Sequence, residues 1–90
     1  MRIEKLSSTV FTPLDDGTGV LLNLDTLLYY SLNRTGAAVW REIENKQVVA
    51  LEEAVATLCG RFAVAEDAAQ IDLRAFLEHL ARFNMVRLQQ

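Results

Sequence analysis

Gly19–Trp40, GVLLNLDTLLYYSLNRTGAAVW, is the stretch on which the reading of this chain turns. Val20 to Leu24 alternates, with Val20, Leu22 and Leu24 on one face and Leu21 and Asn23 on the other, the two-residue period of a strand. Asp25-Thr26 then turns the chain. Leu28 to Leu32 repeats the alternation, grouping Leu28, Tyr30 and Leu32 against Tyr29 and Ser31, so the two runs pair as a hairpin. The period alone leaves open which set faces the core. Asn33 comes next, where its side-chain oxygen can accept from the free amides of a following helix over Arg34 to about Glu44. Within that helix Ala37, Trp40 and Ile43 follow the helical spacing, so Trp40 and Ile43 point inward, and Gly36 permits close approach to the sheet. If the second strand has no further neighbour, its edge can hold an extended peptide through main-chain hydrogen bonds. That points to recognition rather than catalysis.

Working outward, Thr9 to Leu14 (TVFTPL) has β-branched and aromatic character, ends at the only Pro and is followed by the turn signal Asp15-Asp16-Gly17. An edge strand is expected at Val10–Phe11. On the other side, Asn45-Lys46-Gln47 breaks the first helix, and a second is expected over Val49 to Cys59. Its stripe is Leu51, Ala54, Val55 and Leu58, with Glu52 and Glu53 in the first turn, Gly60 as its stop and Phe62 for the contact that follows. A third helix is expected over Ala65 to Phe83. Leu73, Phe76, Leu77 and Leu80 form one stripe; Ala68, Asp72, Ala75, His79 and Phe83 form a second, more mixed one. One stripe is enough for a core, so the second is free to line a groove. Asn84 suits the left-handed end of that helix, and Met85 to Leu88 reads as a short packed tail. The expected fold is α+β and winged helix-turn-helix-like, a small antiparallel three-stranded sheet followed by three helices, as one domain over residues 1–90.

Composition excludes several functions. A chain of 90 residues, 51% hydrophobic and 23% charged, supports one globular core. Its net charge of −3, with nine scattered basic residues, opposes nucleic-acid binding, which depends on neutralising phosphates. No apolar run is long enough to cross a membrane. Cys59 is alone and MRIEKLSST lacks a signal-peptide core, so the chain is read as cytoplasmic. Taken singly, the reactive residues have plain explanations. His79 lacks the companions of a metal or catalytic site, Cys59 has no His at a recognisable spacing, Asp72 reads as a solvated helix charge, and Trp40 reads as core. No phosphate-cradling loop, Cys pair or nucleophile triad is present, so no enzyme activity, cofactor or metal is expected.

The Leu-rich strand, Tyr29-Tyr30-Ser31-Leu32-Asn33 and Gly36-Ala37-Ala38-Val39-Trp40 together resemble the PqqD-like family of peptide-recognition domains. So do Asp72 to Leu80 (DLRAFLEHL) and the closing Asn84-Met85-Val86. The resemblance covers roughly Gly17 to Val86, and its Gly-Ala-Ala-Val-Trp form is similar to the stand-alone domains of lasso-peptide systems. It implies an adaptor without chemistry of its own, in the biosynthesis of ribosomally made, modified peptides. The leader segment of a precursor peptide would add as an antiparallel strand along Leu28, Tyr29, Tyr30, Ser31 and Leu32. It would lie against Asp72, Ala75, Phe76 and His79 of the third helix. A leader protease and a cyclase would be the partner enzymes. Two positions depart from the family pattern: Leu27 stands where many relatives have a turn Gly, and Asn84 replaces a Gly.

Two other readings compete. One is a peptide chaperone for a radical SAM enzyme, as in PQQ synthesis; the other is a winged-helix DNA-binding regulator, opposed by the acidic balance and the lack of a basic recognition helix. An open edge would also allow two copies to pair as a homodimer. Four or five main-chain hydrogen bonds contribute roughly 0.5–1.5 kcal/mol each, while micromolar binding needs about 8 kcal/mol beyond the entropy of association. An apolar groove must therefore supply part of the affinity and the choice of sequence.

Overall fold

Strand and helix periods in the sequence appear as elements in the computed structural model, which describes residues 1–90. In chain order these are β1 (Arg2–Lys5), β2 (Thr9–Pro13), β3 (Gly19–Asn23), β4 (Tyr29–Leu32), α1 (Arg34–Lys46), β5 (Val48–Ala50), α2 (Leu51–Arg61), α3 (Glu66–Arg82) and β6 (Val86–Gln89). The expected three-stranded sheet is β2-β3-β4, antiparallel throughout. A second three-stranded sheet, β5-β1-β6, is also antiparallel and has no counterpart in the sequence reading.

Local chemistry explains most boundaries. Asn33 caps α1, its Oδ1 accepting from Gly36 N at 2.8 Å. Gln47 ends the helix with φ 67, its N–H donating to Ile43 O at 2.7 Å. Helix α2 begins at Leu51 rather than Val49, because Val48–Ala50 pairs with Arg2–Glu4. Glu53 then accepts from Ala50 N at 3.2 Å, satisfying one amide at the helix start. Gly60 is not the stop that the sequence suggested. It lies inside α2 with open space around it, and the helix ends at Phe62, whose N–H donates to Leu58 O. Asn84 does take the left-handed conformation, φ 57, and Met85 N closes back on Leu80 O at 3.0 Å.

The core joins both sheets to the three helices. Trp40, Ile3, Leu21, Ile43, Leu51, Leu77, Leu80 and Met85 are all fully buried. Trp40 also satisfies its indole N–H by donating to Glu44 Oε2 at 2.7 Å. The tail read at Met85–Leu88 is the start of β6, which lies beside β1 with Ile3 opposite Leu88. The N-terminal strand is thus committed to the second sheet, away from β4.

Candidate functional site

Strand β4 pairs with β3 on one side and with nothing on the other. In an antiparallel ladder, residues alternate between exchanging both main-chain bonds with the partner and turning both groups away. Asn23 N donates to Leu28 O at 2.9 Å on the β4 side, and Leu24 N donates to Ser8 O at 2.8 Å on the β2 side. With Leu21 opposite Tyr30 and Gly19 opposite Leu32, this alternation bonds Tyr30 and Leu32 inward to β3. Tyr29 and Ser31 therefore turn their N–H and C=O groups to the open edge. The side chains follow the same period. Leu32 is buried and Tyr30 half-buried toward the helices, whereas Tyr29 is 72% exposed on the outer face.

Beside that edge, aromatic side chains join the sheet to α3. The Tyr30 ring lies 6.2 Å from Phe76, 6.3 Å from His79 and 5.9 Å from Phe83, centroid to centroid, and meets His79 edge-on. At the Leu32 end a groove opens between α1 and α3, a cavity of about 220 Å3 lined by Asn33, Thr35, Gly36, Val39, Leu58, Asp72, Leu73 and Phe76. Gly36 fits closely here. A Cβ at this position would stand 3.2 Å from Asn33 Oδ1, so the cap would have to give by a few tenths of an ångström, and would touch the tip of Phe76 at 3.4 Å. The acidic Asp72 on the rim has no ion-pair partner.

The far end of the contact between sheet and α3 is held by two buried polar residues whose role the sequence reading missed. Asn23, 1% exposed, donates from Nδ2 to Phe83 O at 2.9 Å and to Asn84 O at 3.3 Å, while its Oδ1 accepts from Asp25 N and Thr26 N. Thr9 donates to Met85 O at 3.1 Å. Together they fasten the sheet to the end of α3, with every buried side-chain polar atom bonded. A polar residue on the core face of an otherwise apolar strand is the signal that marks Asn23. Leu27, in the hairpin loop, takes φ 62, the conformation for which a Gly would be suited.

The nine residues expected at a binding site fall in four places. Tyr29, Tyr30, Ser31 and Leu32 form β4, and Leu28 precedes it, half-exposed. Phe76 and His79 reach the Tyr30 ring from α3. Asp72 lines the cavity, whereas Ala75 lies further round α3, beside Ile71 and Glu78 at a separate surface hollow. The outer face of the sheet was not singled out by sequence. There Val10, Leu22 and Tyr29 stand side by side across three strands, with Leu24, Leu27 and Leu28 exposed at the hairpin end. No group of three or more His, Cys, Asp or Glu side chains is placed to hold a metal ion, and no helix is long and apolar enough to cross a membrane.

A small domain whose β4 edge is unpaired, beside aromatic side chains of a helix, defines a class of extended-chain binder. The chain belongs to the PqqD family: the family model described as coenzyme PQQ synthesis protein D (PqqD) matches residues 18–86. Among solved structures it is similar to TbiB1 in complex with the TbiA(beta) leader peptide, at 28% identity and a TM-score of 0.85, covering 97% of this chain and 98% of that one. It also shares its fold with lasso peptide synthetase B1 complexed with the leader peptide, at 19% identity and a TM-score of 0.78, covering 96% and 98%. No protein of curated function matches the sequence at a significant level.

Proposed function

We propose that this chain is a non-catalytic adaptor of lasso-peptide type, which binds the leader segment of a ribosomally made precursor by strand addition to β4. The bare edge at Tyr29 and Ser31, beside the groove, is the observation that carries this reading. The similar structure at 28% identity, a complex with a leader peptide, and the PqqD family match of this chain support it.

The parity of β4 specifies how a leader would sit. Tyr29 and Ser31 offer two N–H and two C=O groups, so four hydrogen bonds contribute roughly 2–6 kcal/mol, short of the 8 or so that micromolar binding requires. Side chains must add the rest. Leader residues opposite Tyr29 and Ser31 project onto the outer face, and those opposite Tyr30 and Leu32 project toward α3. Two leader side chains spaced by two thus face α3. The upstream one lies at the Leu32 end, over the cavity walled by Val39, Leu73 and Phe76 with Asp72 at its rim. Burying two apolar side chains contributes about 1.5–3 kcal/mol each, so the sum reaches roughly 5–12 kcal/mol and brackets that requirement.

An adaptor also needs a face for the enzyme it serves. The apolar outer surface at Val10, Leu22 and Tyr29 is suited to a leader protease, since the leader would lie at its margin. Residues 1–90 act as one such domain, and catalysis rests with the partner enzymes. Isothermal titration with the leader of the precursor encoded beside this chain tests the proposal. Low-micromolar or tighter binding is expected, weakened at least tenfold by Phe76→Ala. Leu22→Asp should leave that affinity intact but abolish leader removal by the partner protease. No binding of any adjacent leader, or amide shifts confined to α1 and α2, would reject the reading.

A further inference from the structure

A cluster of guanidinium groups lies on the flank of α1 that faces away from Thr35, Gly36 and Val39. Arg34, Ala38 and Arg41 share one face of the helix by their spacing. With Arg61 from the last turn of α2, Phe62 and Gly17, they line a pocket of about 180 Å3. Three cations thus meet at one hollow in a chain whose net charge is −3.

None of the three takes part in the molecule's four ion pairs. Arg34 is fixed by its stem: Nε donates to Asp16 O at 2.9 Å, and Gly17, with φ 88, leaves room for the side chain, whose Cγ would lie 3.4 Å from any Cβ there. The terminal nitrogens remain available. The Asp16 carboxylate is engaged by Thr18, accepting from its N–H at 3.0 Å and from its hydroxyl. Those bonds, ahead of the attraction of Arg34, hold the Asp16 carboxyl below its ordinary range. Unpaired like charges at one pocket repel weakly in water, and an anion between them would relieve that repulsion.

We propose that this pocket binds a side-chain carboxylate from an acidic segment of a partner polypeptide. Guanidinium forks match a carboxylate with two parallel hydrogen bonds. Phosphate sites characteristically add backbone N–H donors from a helix start or a glycine loop. Here the Gly17 N–H is spent on Leu14 O, the Thr18 N–H on Asp16 and, at the start of α1, the Gly36 N–H on Asn33 Oδ1. Half-buried Phe62 and buried Ala38 supply an apolar wall suited to the methylene stem of a glutamate. The pocket is separate from the β4 groove, so its occupation does not depend on strand addition.

The test is an NMR titration of the arginine Nε–H signals with a blocked tetraglutamate peptide, with tetraglutamine and inorganic phosphate in parallel. Saturable shifts at Arg41 and Arg61 are expected with tetraglutamate and not with tetraglutamine. The affinity should fall at least tenfold in Arg41→Gln/Arg61→Gln and on raising salt from about 50 to about 200 mM. Arg2→Gln, which removes a distant positive charge, should leave it unchanged. All these positions are exposed, and unchanged thermal unfolding verifies the fold of each variant. Equal or tighter binding of phosphate, an equal loss in Arg2→Gln, or no loss in the double variant would overturn the assignment.

Discussion

The two sheets have the same size and the same antiparallel order, yet they treat their edges differently. In β5-β1-β6 the flanking strands are blunted: β5 has three residues and runs straight into α2, and β6 carries exposed Arg87, paired with Glu4. In β2-β3-β4 the β2 edge stops at Pro13, which has no N–H to offer, while β4 carries no such device. Its open residues Tyr29 and Ser31 instead lie beside the aromatic wall of α3. Edges are blunted where they serve only the scaffold, and the one left bare adjoins a groove that can select its guest.

The largest expected effect separates the sheets. Ile3→Ala, at the centre of the closed sheet, should lower the unfolding free energy by about 2–5 kcal/mol in denaturant titration. Leader affinity of the folded fraction should not change; a parallel loss would show that the two sheets act as one unit. A sharper contrast lies within β4 itself. Tyr30→Pro removes an amide bonded to β3 and should cost about 1–3 kcal/mol of stability, whereas Ser31→Pro removes only an outward amide. Ser31→Pro should leave unfolding nearly unchanged and weaken leader binding tenfold or more; the reverse pattern would invert the parity of the strand.

Leu27→Gly relieves a left-handed backbone at a residue 72% exposed, and should raise stability by about 1 kcal/mol. The smallest effect belongs to the closed-sheet side. Glu53 is held below its ordinary value of 4.5, first by its hydrogen bond from Lys46, and Lys46 is raised in turn. Stability from the depressed carboxyl is present above the unfolded value and is lost as pH falls through the folded one. Both groups are exposed, so the contribution is small. The unfolding temperature should dip slightly from about pH 5 to about pH 3, and Lys46→Met should flatten that dip.

The open sheet was legible because its signals are local. Alternation over Val20–Asn23 and Leu28–Leu32, the Asp-Thr turn and the Asn33 cap each lie within a few residues. The closed sheet was not legible, since Arg2–Lys5, Val48–Ala50 and Val86–Gln89 are short and far apart in the chain. Only their mutual pairing makes them strands. The same limit applies to the site. Phe76 and His79 fall on a helix stripe that periodicity reveals, but the direction of the β4 amides depends on bonds at Asn23 and Leu24 that no period encodes. Asn23 itself joins β3 to residues sixty positions away, a tertiary contact invisible to local pattern.

Amide hydrogen exchange with and without the adjacent precursor's leader tests the central claim most directly. In the free protein Tyr30 should already be protected while Tyr29 and Ser31 exchange quickly, and saturating leader should protect those two by tenfold or more. Unchanged exchange at Tyr29 and Ser31 under saturating peptide, or new protection along β2 or β6 instead, would contradict strand addition at β4.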